Sequence, residues 1–268
     1  MRIEVVILVR LRPERQLELA ESGALSLAEA HNRQGFIEYR FPAHAPEIDE
    51  LKARLEDAGE EFLVREERSF SLRELRDAPA LKIEPAFDPS DVEVAAERYD
   101  WKEACVRCMR VPGQEGTLHI KRGDLQHAHF LRGRRGEILV NESIATRMIK
   151  EDVSGCILRD VKADDGVRGA ENYFQLIPTN VLPSAVTPPT RFLTSDDACP
   201  ACGRGGLYLD SMLYYDIDER KIADVNVTAE LFGDGPALAP EIVVSQRFYN
   251  LLVSAGAKLD APEPVAFV

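Results

Sequence analysis

The sequence predicts an α+β protein: a small N-terminal α/β domain, then a duplicated strand-helix region carrying a zinc-ribbon-like site. Three observations predict it. Strands and helices alternate over residues 1–85. After Asp100 the chain becomes rich in Gly and Pro, poor in helical runs, and holds all five cysteines. Four of those cysteines form two CxxC pairs, and a strand-helix segment of matching pattern follows each. The expected organisation is a domain over 1–90, a linker or connecting helix over 91–100, and a double-CxxC domain over 101–268 with copies at about 101–177 and 195–268.

In order along the chain, IEVVILVRL is a β-rich run, and PERQLELAESGALSLAEAHNRQ has helical spacing broken at Gly23. FIEYRF places Phe36, Ile37, Tyr39 and Phe41 at strand-like spacing. PEIDELKARLEDAGEE has the strongest helical pattern, with Ile48, Leu51 and Leu55 on one face, Pro46 at the start and Gly59 as a stop. FLVREERSF and ALKIEP are further strands around the short helix SLRELRDA. The four prolines of PTNVLPSAVTPPTR mark an extended crossing segment over 178–191.

Length and composition bound the function. The chain of 268 residues is 45% hydrophobic, enough to form a packed core without disulfides. The apolar run VVILV is too short for a signal peptide or for the roughly twenty residues of a membrane helix. The expectation is a cytoplasmic protein with no membrane partner, where paired cysteines more often mean metal than disulfide. A formal charge of −13 repels phosphate backbones and either suits a basic protein partner or serves solubility alone. Nucleic acid is the poorer partner, although KRGDLQHAHFLRGRR (121–135) is locally basic.

The duplication shows in an ungapped alignment of EILVNESIATRMIKEDVSG (137–155) with EIVVSQRFYNLLVSAGAKL (241–259). Glu137, Ile138 and Val140 meet Glu241, Ile242 and Val244. Each copy reads as a four-residue strand, an N-cap at Asn141 or Ser245, and a helix of about ten residues. The second copy needs a ten-residue insertion, expected around LYYDIDERKIADVNVTAELFGDGP (213–236), because Cys105 lies 32 residues before Glu137 whereas Cys199 lies 42 before Glu241. Two knuckles brought together across a pseudo-twofold axis would each give two thiolates to one metal.

Cys105, Cys108, Cys199 and Cys202 are therefore the expected ligands of one structural zinc, which takes four protein donors in a tetrahedron. CPACG has the knuckle features, including a Gly free to adopt the positive φ of the turn; CVRCM lacks that glycine. Metal-free core thiols and redox chemistry are the alternatives, but neither pair opens a helix after a strand as a thioredoxin-like site would. Cys156 reads as a buried small hydrophobe. His127 and His129 would share one face of a strand, with Asp124 as the sole third ligand close by, and read as structural. His119 could replace a thiolate; His31 falls in a helical segment and His44 in a loop. The acidic cluster GEEFLVREER and the neighbours Asp196 and Asp197 look like solvated faces. GxGxxG, phosphate loop, HExxH and GxSxG are all absent, so binding is the more economical role than catalysis.

Two CxxC pairs far apart, the second reading CPACG, followed by YDIDERKIADVNVTAE and a closing EIVVSQRFYNLLVSAGAKLDAPEPV, resemble the double-CxxCG motif proteins of bacteria over about residues 100–268. Members of that family are encoded beside polymorphic or contact-delivered toxins and are regarded as their immunity proteins. The resemblance implies inhibition by binding, with acidic residues facing the cations of a cognate toxin and Tyr214, Tyr215 and Phe232 as candidate aromatic anchors. Met109 stands where the family has glycine, and the first hundred residues carry no part of the resemblance. Two competing expectations are a zinc ribbon binding nucleic acid through 121–135, and an enzyme whose catalytic zinc would keep only three of the four cysteines.

Overall fold

The structure, a computed structural model, describes residues 1–9, 29–33, 36–85, 92–94, 102, 104–108, 114, 116–123, 129–133, 136–163, 172–194, 198–233 and 238–268. It is mixed α/β, rich in strands and sparing in helices, and divides into two compact units, Met1–Ser71 and Leu72–Val268.

The first unit comprises β1 (Arg2–Val9), β2 (Glu29–Arg33), β3 (Phe36–Pro42), α1 (Glu47–Asp57) and β4 (Phe62–Ser69). Its antiparallel sheet has the order β2-β3-β1-β4. Period-two alternation in β1 turns Val5, Ile7 and Val9 to the core, where they meet Tyr39 and Phe41 of β3 and Ile48, Leu51 and Leu55 of α1. Each of those three helix side chains, fully or nearly buried, contributes about 2 kcal/mol. Helix α1 ends as its sequence expects: Gly59 takes φ +65°, and the Glu60 N–H returns to the Leu55 carbonyl at 3.0 Å.

One expectation here is corrected. Of the helical pattern read over 13–34, residues 10–28 lie outside the described ones, and Glu29–Arg33 forms strand β2, which places His31 in a sheet. Pairing with β3 satisfies that backbone and overrides the helix preference of EA-rich sequence.

The second unit runs α2 (Leu72–Asp77), β5 (Ala80–Pro85), β6 (Val92–Val94), β7 (His119–Gly123), β8 (Phe130–Arg132), β9 (Ile138–Asn141), α3 (Glu142–Lys150), β10 (Cys156–Asp160), β11 (Lys162–Ala163), β12 (Tyr173–Pro178), β13 (Phe192–Thr194), β14 (Leu207–Leu209), β15 (Tyr214–Tyr215), β16 (Val225–Val227), β17 (Ile242–Ser245), α4 (Gln246–Ser254) and β18 (Leu259–Phe267). Its sheets have the orders β10-β12-β9-β8, β15-β18-β5-β17-β16 and β11-β7-β6, with a β13-β14 hairpin.

Strand β5, assigned from sequence to the 1–90 domain, is instead central in a sheet of the second unit, hydrogen-bonded to β17 and β18. The physical reason is burial: Ala80, Leu81 and Ile83 lose almost all exposure there, which a strand at the end of the first unit would not obtain. Within the expected linker, Val92–Val94 pair with β7, and the remainder of 91–100 lies outside the described residues. The segment expected to be extended over 178–191 is so only as far as Val186, with the Leu182 N–H on the Val227 carbonyl and the Val186 N–H on that of Tyr214; Thr187, Pro188 and Pro189 then form a turn closed by the Thr190 N–H on the Val186 carbonyl at 2.9 Å.

Both expected N-caps form. The Asn141 side-chain oxygen accepts from the Ile144 N–H at 3.0 Å, and the Ser245 hydroxyl from the Phe248 N–H at 3.1 Å. Helices α3 and α4 approach each other, with the Arg147 guanidinium donating to the Leu251 carbonyl at 3.3 Å and the Ser254 hydroxyl at 2.8 Å. Among the described residues no helix is long and apolar enough to cross a membrane.

Candidate metal centre

The second knuckle sits between the strands of the β13-β14 hairpin. Phe192, Leu193 and Thr194 pair with Leu209, Tyr208 and Leu207, and residues 198–206 lead back into the second of these strands. Within that loop the Cys199 N–H donates to the Arg204 carbonyl at 2.8 Å and the Gly203 N–H to the Cys199 carbonyl at 2.7 Å. Gly203 has φ +67° with open space around its Cα, so glycine is used there for its backbone alone. The N–H groups of Ala201 and Cys202 point at the Cys199 sulfur and lower its pKa.

The first knuckle precedes β7 and reaches the same geometry. The N–H groups of Cys108 and Arg107 bring the Cys105 thiol down to about 6, so it is largely thiolate at neutral pH. Met109 lies outside the described residues. Downstream, Gln114 and Gln175 exchange side-chain hydrogen bonds of 3.0 and 2.6 Å, fastening the segment to β12.

The two knuckles meet. Cys105 Sγ lies 3.7 Å from Cys199 Sγ and Cys108 Sγ lies 3.9 Å from Cys202 Sγ, and all four sulfurs fall within 4.8 Å of one another. A tetrahedral metal with bonds of about 2.3 Å to sulfur requires sulfurs about 3.8 Å apart, the spacing of the two cross-knuckle pairs, so the four cysteines could hold a metal ion. Cys199 is buried, Cys105 and Cys108 half-buried and Cys202 exposed, which leaves one side of the centre open to solvent. Among the described residues no other group of His, Cys, Asp or Glu has such a geometry.

The remaining expected residues separate. Tyr215 is fully buried with Leu182, Leu213, Val243 and Val265, and Phe232 is 7% exposed with its ring 6.0 Å from that of Phe192. Neither offers area to a partner. Alternation on β15 sends Tyr215 inward, and Phe232 is drawn in because it supports the hairpin that carries the second knuckle. Tyr214 stays partly exposed. His129 Nδ1 lies 2.9 Å from Asn141 Nδ2, a structural role beside the helix cap. His127 and Asp124 lie outside the described residues, as do Asp196 and Asp197. Cys156 is half-buried, and burial pushes its thiol up to about 11. In the basic run, Arg132 is committed to Glu84 at 3.1 Å, while 124–128 and 134–135 lie outside the described residues.

Sequence reasoning missed one cluster. Asp224, 8% exposed at its side chain, accepts from the Ser154 N–H and hydroxyl, both at 2.9 Å, from the Ser245 hydroxyl at 2.7 Å and from the Arg247 guanidinium. Burial opposes its ionisation, but Arg247 and the serines outweigh it and hold the carboxyl well below the usual range. Arg247 also donates to the Glu151 carbonyl at 2.9 Å at the end of α3. The Ser245 cap was a local signal; nothing local linked it to Asp224.

Fold and site together define a strand-rich, mixed α/β protein with a four-cysteine cluster able to hold a metal ion. No family model matches the chain, and a search of curated proteins returns no match.

Proposed function

We propose that the chain is an immunity protein that binds and neutralises a cognate bacterial toxin, with a structural zinc held by Cys105, Cys108, Cys199 and Cys202 in a duplicated strand-helix region. The observation that carries the zinc is the set of four sulfurs within 4.8 Å, donated in pairs by knuckles 94 residues apart. Four thiolates in a tetrahedron favour zinc among common divalent ions and leave no position for substrate, which supports a structural ion over a catalytic one. The charge of −13 and the resemblance over residues 100–268 support a basic protein partner.

Elemental analysis of the native protein with parallel thiol titration tests the metal, and affinity capture against the product of a neighbouring toxin gene tests the partner. One zinc per chain with four protected thiols is the expected result. A Cys199→Ser/Cys202→Ser variant that melts like the parent would remove the structural-zinc reading. Salt-dependent DNA or RNA binding would favour the zinc-ribbon alternative instead.

A further inference from the structure

The strand registers of the second unit are the same twice over. In one sheet Asn141, Val140 and Leu139 of β9 face Tyr173, Phe174 and Gln175 of β12; in the other, Ser245, Val244 and Val243 of β17 face Ala80, Leu81 and Lys82 of β5. With the two N-cap residues matched, β12 and β5 coincide residue for residue, and both end in a proline: Pro178 opposite Cys156 of β10, Pro85 opposite Leu259 of β18. The edge strands agree, Phe130 facing Val140 as Val225 faces Val244. So do the parallel pairs, Lys162 with His119 and Ala266 with Tyr214. Equivalent backbone bonds recur beside them, Lys162 N–H to the Leu118 carbonyl at 2.9 Å and Ala266 N–H to that of Leu213 at 3.0 Å.

Matching residues lie 93 apart at β5 and β12, 94 at the cysteines, 95 at β8 and β16, and 104 at β9 and β17. The offset never falls along the chain and makes its one large step, of nine, after β8 and β16, as in a tandem repeat that begins at β5 and carries an insertion in its second copy. Yet β5 opens the first repeat and pairs in the sheet of the second, while β12 opens the second and pairs in the sheet of the first.

We infer that residues 80–163 and 173–267 are tandem repeats joined by reciprocal exchange of their first strands, with the four-cysteine centre on the pseudo-twofold axis between them. Contacts between equivalent residues mark such an axis, and three occur: Cys105 with Cys199, Cys108 with Cys202, and Arg147 with Leu251. The halves are thus interlocked by backbone pairing, and the metal orders the knuckles rather than holding the halves together. This extends the duplicated-region reading and stands apart from the zinc and toxin readings.

The test uses the full-length protein in a Cys156→Ser background with a specific protease site inserted between β11 and β12. Lys82 faces Glu263 directly and Gln175 faces Arg159 directly, so the pairs Lys82→Cys/Glu263→Cys and Arg159→Cys/Gln175→Cys each place two thiols across an exchanged strand. After mild oxidation and cleavage, non-reducing peptide mapping should find the two introduced thiols of either pair joined to each other across the two fragments, a link distinct from any among the four centre cysteines. In Lys82→Cys/Arg159→Cys, the pair that would meet without exchange, both introduced thiols lie on the same cleavage fragment, and the same mapping should find them unlinked to each other. Cross-linking by that pair, or failure of both exchanged pairs, overturns the inference. Metal content of the same samples is read separately: a metal-free protein that still cross-links refutes the zinc and leaves the exchange standing.

Discussion

Asp224 concentrates more interaction than any expected site residue outside the cysteines. It joins the end of α3, the start of β16 and the cap of α4, so Asp224→Ala strands Arg247 and leaves two serine donors without their acceptor. Loss of a buried, hydrogen-bonded charge partner should cost about 3 kcal/mol, read from the urea midpoint. Because the folded pKa is depressed, the unfolded chain binds the extra proton: the contribution is complete above the ordinary value of 3.8 and is withdrawn as pH falls below it toward the folded pKa. Asp224→Asn should flatten that acid limb, and an unchanged limb would show that other carboxylates govern it. Capping is a smaller residue-scale effect. Asn141→Ala should cost about 1 kcal/mol, and Ser245→Ala more, since its hydroxyl also donates to Asp224.

At the scale of elements, glycines separate conformational need from space. Gly155, at φ +79°, sits where an added Cβ would strike the Val225 carbonyl and the Ala223 side chain, whereas Gly203, at φ +67°, meets nothing. Gly203→Ala should therefore cost about 1 kcal/mol from backbone strain alone, and Gly155→Ala clearly more because β16 must move. Equal thermal shifts for the two would contradict this. Elements with their own strong pattern were legible: Ile48, Leu51 and Leu55 marked α1, and the matched EILVN and EIVVS segments marked β9-α3 and β17-α4. EAHNR was misread because nothing local in those residues announces β3 as a partner. The ten-residue surplus of the second copy was legible in number and roughly in place, around 213–236: nine of the ten fall between β16 and β17, where Phe232 folds under the hairpin of the second knuckle.

For the whole molecule, the boundary at Ser71 makes a direct expectation. A chain of residues 72–268 keeps β5 and should show a cooperative thermal transition, while 101–268 lacks it, exposes the edges of β17 and β18, and should not. A cooperative 101–268 fragment would mean that β5 is dispensable. The four-cysteine site belongs to this scale too, although its four members were readable from two CxxC spacings. Knuckles 94 residues apart converge only because the strands behind them are placed by two matching sheets.

By itself the sequence determined whatever depends on neighbours within a few residues: the two CxxC pairs, the caps at Asn141 and Ser245, the apolar stripe of α1 and the alternation of β1. Tertiary structure decided where ALKIEP pairs, that Tyr215 and Phe232 are core while Tyr214 is partly exposed, and that Asp224 is a junction. The reason is physical. A six-residue apolar strand satisfies its own backbone nowhere and fits any sheet with an open slot, so its place follows from the burial and register that a distant partner provides.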